Sequence, residues 1–230
     1  MVNRLKKLAF RMANVGIPRI REAGVHSQYG QDRFVAESLF KGKRSGVFVD
    51  VGANDGETFS NTCFLERELG WTGVAIEPLP KAFEKLARNR SCHALQCCIA
   101  EKEGDVNFLE IDGNAEMLSG IVDSYDERHL RRIDDELATR GGSKREIKVK
   151  CHRLSTILDR HSLSEVDYLS IDTEGNEMDV LRSVDLSAQL VRVISVENNY
   201  GSSDLRKRLG QFGYKLVALA GADEIYERRT

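Results

Sequence analysis

The stretch Val47-Phe-Val-Asp-Val-Gly-Ala-Asn-Asp-Gly-Glu-Thr58 puts Asp50 two residues before Gly52, with Asn54, Asp55, Gly56 and Glu57 close behind. Glycines at 52 and 56 permit positive φ and let a backbone come near a ligand. A second group of acids stands in Asp172-Thr-Glu-Gly-Asn-Glu177, and a third motif is Glu197-Asn-Asn199. Between them lies Glu77, 25 residues beyond Gly52 and followed directly by Pro78. These carboxylates frame the chemistry to be read.

Charge selects the ligand of the first loop. A pyrophosphate at such a turn calls for helix-terminal N–H groups and no anions alongside, yet Asp50, Asp55 and Glu57 crowd this one. Position 54 is Asn where the G-x-G-x-x-G fingerprint has its second glycine. A ligand with cationic groups suits the loop better, and S-adenosylmethionine carries a sulfonium and an ammonium. Glu77 ends an apolar run, where a carboxylate can accept both hydroxyls of a ribose. Nicotinamide-binding folds share that feature, so Glu77 points to a ribose without choosing the cofactor.

The second group reads as the reacting end. Transfer of a methyl to a hydroxyl is an in-line displacement that needs alignment and removal of the acceptor proton. Asp172 and Glu174 lead as bases or acceptor-positioning groups, Glu197 follows, and His152 comes last. Asp172 is also expected to contact the donor, since its strand should end beside that of Gly52. Two readings compete for this pair: Mg²⁺, a hard cation that takes oxygen ligands, and, for Glu174, the cap of a helix starting at Asn176.

The elements that must hold these groups alternate in type. Strand-like runs at Val47–Val51, Gly73–Ile76, His93–Ala100, Val166–Ile171 and Val191–Val196 interleave with helical spacing at Asp32–Lys41, Thr58–Leu69, Pro80–Arg90, Ser155–His161, Glu177–Val184 and Ser203–Gln211. Such alternation predicts parallel βαβ units with right-handed crossovers. Asp105–Ile111 and Glu146–Cys151 break the pattern and predict a hairpin-like excursion with a helix near Ser124–Thr139. Only Ala220–Asp223 separates Tyr214–Leu219 from Glu224–Arg229, so the last strand should run antiparallel. The expected fold is a doubly wound α/β domain with a mostly parallel seven-stranded sheet, the last strand reversed.

On these residues the chain resembles the FkbM-type methyltransferases of class I. The shared motifs are Ser27-Gln-Tyr-Gly-Gln-Asp32, Phe48–Gly56, Ser60-Asn-Thr62, Gly70-Trp-Thr-Gly73, Ile76-Glu-Pro78 and Leu169-Ser-Ile-Asp-Thr-Glu-Gly175. The resemblance runs from about residue 26 to 230 and implies a Rossmann-like sheet, S-adenosylmethionine as donor and an oxygen acceptor, often a sugar hydroxyl. It places Asp50, Gly52 and Gly56 around the methionine part and Glu77 on the ribose, with Asn54 also among the cofactor-binding residues. Gln28, Gln31 and Asp32 would help close the pocket from before the first strand. Adenine contact falls to Cys98, through its side chain or a backbone N–H, with core packing as the competing role of the cysteines.

Composition sets the outer bounds. The net charge of −2 divides into six Lys/Arg against Glu22 in residues 1–22, and 28 basic against 35 acidic residues in the remainder. So acidic a body disfavours nucleic acid, whose phosphates need a positive surface. The chain thus reads as a basic arm, 1–25, ahead of a methyltransferase domain, 26–230, with the excursion at about 105–151. The arm could touch an anionic membrane surface or acidic partner, but no apolar run nears the roughly 18 residues of a membrane span. Five cysteines without a C-x-x-C pair suit reduced thiols and a cytoplasmic setting. Two other functions share this fold: a nicotinamide-dependent oxidoreductase, which the acidic loop opposes, and a non-catalytic binding module. Acceptor specificity is expected in Asp112–Ser143.

Overall fold

The computed structural model describes residues 16–20 and 23–229. Its centre is β1 (Val47–Val51), a β-branched run with all but its first residue buried. Alternation along the strand sends Val49 and Val51 to one side and Phe48 and Asp50 to the other. Val49 and Val51 join the core beneath α5 (Leu154–Arg160), α6 (Glu177–Arg182) and α7 (Asp204–Gly210). Phe48 packs with Leu65 of α2 (Cys63–Leu69) and with Val35 and Ala36. Those two belong to a π-helical stretch, Phe34–Leu39, that continues α1 (Gln31–Arg33).

Seven strands form the main sheet. On one side of β1 lie β2 (Thr72–Ile76) and then β3 (His93–Leu95). On the other lie β8 (Glu165–Ile171), β9 (Leu190–Glu197), β11 (Asp223–Arg228) and β10 (Tyr214–Ala220). The chain fills one side first and then crosses over, so the β1–β8 junction is a switch point where a crevice opens beyond the strands' carboxyl ends. Register is tight there, with Val49 opposite both Val74 and Leu169. Strand β11 pairs antiparallel with both β9 and β10, as the short hairpin requires. The expected sheet, parallel except for its last strand, is the sheet observed.

Two expected elements change shape. The run His93–Ala100 is two strands, because Leu95 gives its carbonyl to the Glu77 N–H and the chain then leaves β2. Its second part, β4 (Cys98–Ile99), pairs with the end of β7 (Ser143–His152). Strand β7 also runs antiparallel to β5 (Gly104–Asp112), and β6 (Gly120–Ile121) completes a second, four-stranded sheet. Helix α4 (Glu127–Arg140) lies between β6 and β7, capped by the Asp126 carboxylate on the Arg128 N–H. The other change is at α2, which starts at Cys63 rather than Thr58: Ser60 Oγ accepts from the N–H of Cys63 and residues 52–62 stay a loop. Helix α3 (Pro80–Asn89) stands where expected.

Pro18 and Ile20 bond to Leu219 on edge strand β10. Arg4, Lys6, Lys7, Arg11 and Arg21, on which the membrane reading of the arm rests, lie outside the described residues. Among the described residues no helix is long and apolar enough to cross a membrane.

Candidate active site

Beyond the carboxyl ends of β1, β2, β4 and β8 lies a cleft of about 730 Å³, counted to its open mouth. Its floor is Gly52, Asn54, Glu77 and the Asp172–Glu174 turn. The second sheet supplies the opposite wall with Phe108 and Ile121, beside Met117 and the Cys97–Ile99 strip. The hairpin excursion therefore forms part of the site.

Gly52 is a glycine because of its neighbour strand. At φ +87°, a Cβ there would lie 1.7 Å from the Asp172 carbonyl oxygen. The Asp172 N–H in turn donates to the Val51 carbonyl at 3.0 Å. Only a residue without a side chain lets the two loops meet. The close approach is between two pieces of the chain, and it fixes the floor.

Glu77 is 6% exposed, and its two carboxylate oxygens accept from the N–H groups of Asn54 and Leu79, each at 2.9 Å. Burial pushes its pKa up to about 7 against the pull of those two bonds. Each oxygen retains a lone pair, and the carboxylate lines the cleft.

The acids of the first loop point elsewhere, which corrects the charge reading of that loop. Asp50 is buried on the α2 side, accepting from Thr62 Oγ1 at 2.6 Å, and burial raises its pKa despite nearby Arg90. Asp55 caps its own turn through Glu57 and Thr58, while Glu57 pairs with Arg67. Gly56 packs on Leu86 and Arg90, with φ +80°. The carboxylates lining the cleft are Glu77, Glu116, Asp172 and Glu174.

The residues before β1 also lie apart from the cleft lining. Gln28 is exposed. The Asp32 carboxylate is taken up by the N–H groups of Val25, His26 and Ser27. Gln31 donates from Nε2 to Asp223 Oδ2 at 2.7 Å. His152, at the end of β7, sits 4.0 Å from Glu103 and joins neither cleft nor acid cluster.

At the β8 side the structure gathers what the sequence separates. Asp172, Glu174 and Glu197 bring carboxylate oxygens within 4.8 Å of one another. Asp223 stands opposite Glu197 in register on β11, and Glu177 adds a further charge. Solvent reaches Asp172 through the cleft, yet protein surrounds it otherwise; burial and then Asp223 hold its pKa well above the ordinary range. Glu197 is raised by burial and by Asp172. Glu174 is raised to about 7 by burial, opposed by Arg132, whose Nη1 lies 3.3 Å away. Its backbone is left-handed, φ 55°, a strained geometry for a non-glycine residue.

Sequence reasoning missed Asp223, Asn176, His129 and Tyr200. Asp223 was legible: a hairpin at Ala220–Asp223 returning beside β9 must bring it near Glu197. Asn176 donates from Nδ2 to the Ile99 carbonyl at 2.7 Å and accepts from Ser124 Oγ, joining the β8 loop to the second sheet. No local pattern signals such a contact.

Residues 50–216 match the Methyltransferase FkbM domain. "Methyltransferase sdnD" of Sordaria araneosa is 27% identical over 219 residues, covering 81% of this chain and 83% of that protein. "Methyltransferase 1" of Beauveria bassiana is 30% identical over 153 residues, covering 60% of this chain and 57% of that protein. The crystal structure of Methyltransferase FkbM from Methylobacillus flagellatus superposes with a TM-score of 0.50 at 13% identity, over 80% of this chain and 43% of that one. The matched region runs from Asp50 on β1 to Leu216 on β10, so Glu77, Asp172, Glu174 and Glu197 fall within it, while β11 with Asp223 lies beyond its end. The chain belongs to the FkbM family of S-adenosylmethionine-dependent methyltransferases.

Proposed function

We propose that the protein methylates a hydroxyl of a sugar or related polyol, in the making of a glycan or natural product. The observation that carries this reading is the turn Asp172–Glu174, which lines the cleft and belongs to the three-carboxylate cluster. Donor and proton acceptor thus share one loop.

The residues of the cleft fit the donor. Glu77 offers a carboxylate to ribose hydroxyls, while Cys98, Ile99, Phe108 and Ile121 make an apolar slot suited to a purine. Asn54 and Gly52 form the backbone floor on the methionine side. Bound S-adenosylmethionine supplies an electrophilic methyl on a sulfonium. The chain's part is to align the acceptor oxygen and take its proton. Carboxylates whose pKa values rise toward or above neutrality are stronger bases than free ones, as general-base work at neutral pH demands. Glu174 and Glu197 have that property, and burial beside Asp223 raises Asp172 as well.

Repulsion within the cluster is answered by shared protons and by Arg132, so the proposal includes no Mg²⁺. Calorimetry and turnover test it together. S-adenosylhomocysteine should bind and NAD should not; comparable NAD affinity would reverse the donor assignment. Asp172→Asn should lower turnover by about 10²–10⁴-fold with donor affinity largely retained, and EDTA should leave the parent rate unchanged. Full activity per folded Asp172→Asn molecule would move the base to Glu174 or Glu197.

A further inference from the structure

A second groove opens on the far side of the Asp172–Glu177 loop. It lies between the start of α4, helix α6 and the segment that follows β9, and its wall includes Glu177, Glu197, Asn198, Asn199 and Tyr200. Glu197 lies in this groove, whereas Asp172 and Glu174 line the donor cleft. Since the three acids approach within 4.8 Å, the two hollows meet at the carboxylate cluster. A substrate lying in this groove would reach toward the donor across these acids.

Tyr200 is held on two sides, with the Arg128 guanidinium 4.1 Å over its ring and its hydroxyl 3.3 Å from His129 Nδ1. His129 is buried against Tyr125, which it stacks at 4.8 Å, with Glu174 3.8 Å from its Nδ1, and burial lowers its pKa. A neutral ring whose Nε2–H faces the Leu118 carbonyl leaves Nδ1 to accept from Tyr200.

Charge then narrows the occupant. The cations at the groove already face acids: Arg128 pairs with Asp126 at 2.7 Å and Arg182 with Asp179 at 3.1 Å. Asp204 is matched by Lys207 at 3.0 Å. Glu177, whose Oε1 accepts from Thr173 and Gly175, and Glu197 form no ion pair among the described residues; behind them stand Asp172, Glu174 and Asp223, with Arg132 on Glu174 as counter-charge. An anionic group brought to these five carboxyl groups, with one arginine among them, meets net like charge and is disfavoured. Amides, carboxylates and an aromatic ring suit hydroxyls and ammonium groups instead.

We propose that this groove holds the methyl acceptor and selects neutral or ammonium-bearing polyols over carboxylated or phosphorylated ones. The assignment rests on the hydroxyl-methylation reading above and adds the location and charge class of the acceptor. Asn199 is exposed and provides a way to fill the groove without touching the core or the donor cleft.

The test uses the full chain and a panel of methyl hexopyranosides in three forms: neutral, 2-amino and uronic acid. Release of S-adenosylhomocysteine reports transfer. Neutral or amino members should be turned over, and the matching uronides should show kcat/KM lower by about tenfold or more, the size of a like-charge contact partly screened. Asn199→Trp should cut transfer about 100-fold, as expected of a displaced acceptor, with S-adenosylhomocysteine affinity and melting temperature close to wild type. Preference for the uronides would overturn the inference, as would wild-type transfer by Asn199→Trp; either leaves the hydroxyl-methylation reading intact. Normal donor binding with transfer to none of the panel would instead remove that reading, and this inference with it.

Discussion

Asp50 and Glu77 come near the ends of neighbouring strands, and from sequence both look like donor ligands. The structure separates them by direction. Asp50 is the next-to-last residue of β1, so the pleat turns it toward α2, where Thr62 and Arg90 meet it. Glu77 follows the last residue of β2 and faces the cleft. Glu77→Gln should therefore weaken S-adenosylhomocysteine binding by about 10- to 150-fold, the worth of charge-assisted hydrogen bonds of about 1.5–3 kcal/mol. The expected result for Asp50→Asn is donor affinity close to wild type in the same titration, since the amide oxygen can still accept from Thr62. Reversed outcomes, a stable Asp50→Asn that no longer binds donor, would return Asp50 to the pocket. The period of two that distinguishes the residues was present in the sequence; a motif read as a string of acids hides it.

At the scale of elements, the parallel order and the reversed last strand were legible because each follows from local facts. Apolar runs at 47, 73, 166 and 191 alternate with helical spacing, and a four-residue gap at Ala220–Asp223 admits only a hairpin. The second sheet was half legible. Asp105–Ile111 and Glu146–Cys151 read as strands, but the pairing of Cys98 with Cys151 joins residues 53 apart, which no period reveals. That pairing is why His93–Ala100 splits and why the excursion reaches the cleft. Asn176 is its tie to the main sheet, bonded to the Ile99 carbonyl and to Ser124. Asn176→Ala leaves the buried Ile99 carbonyl without that partner, at a cost of about 1–3 kcal/mol. Hydrogen exchange should then quicken in residues 116–125 and 172–177 while β1, β2 and β8 stay protected. Unchanged exchange in both loops would show that the excursion is held by other contacts, such as Phe108 and Val149 in their shared core.

Across the whole molecule, the carboxylates set stability and activity against each other. Burial holds Glu77 and Glu174 at about 7, above their ordinary 4.5, and Asp223 at about 6, above its ordinary 3.8. Below the ordinary values these groups are protonated in both the folded and unfolded chain. Between the ordinary and raised values the folded chain binds more protons, so stability falls as pH rises. The contribution is fully present below about pH 4 and is lost as pH climbs through about 6 to 7. The ligand-free protein should thus melt at a higher temperature at pH 6 than at pH 8, by about 2–4 °C for each kcal/mol in a chain of this size. Glu174→Gln should flatten that dependence, because its uncharged side chain removes one titration from the cluster. Turnover should move the other way across the same window, since a base must lose its proton before it can take one from the acceptor. A melting temperature that rises from pH 6 to pH 8 would mean that the acids are already paired with cations in the folded state. Their repulsion would then be no source of basicity, and a bound cation at Asp172, Glu174 and Glu197 would become the better account of the cluster.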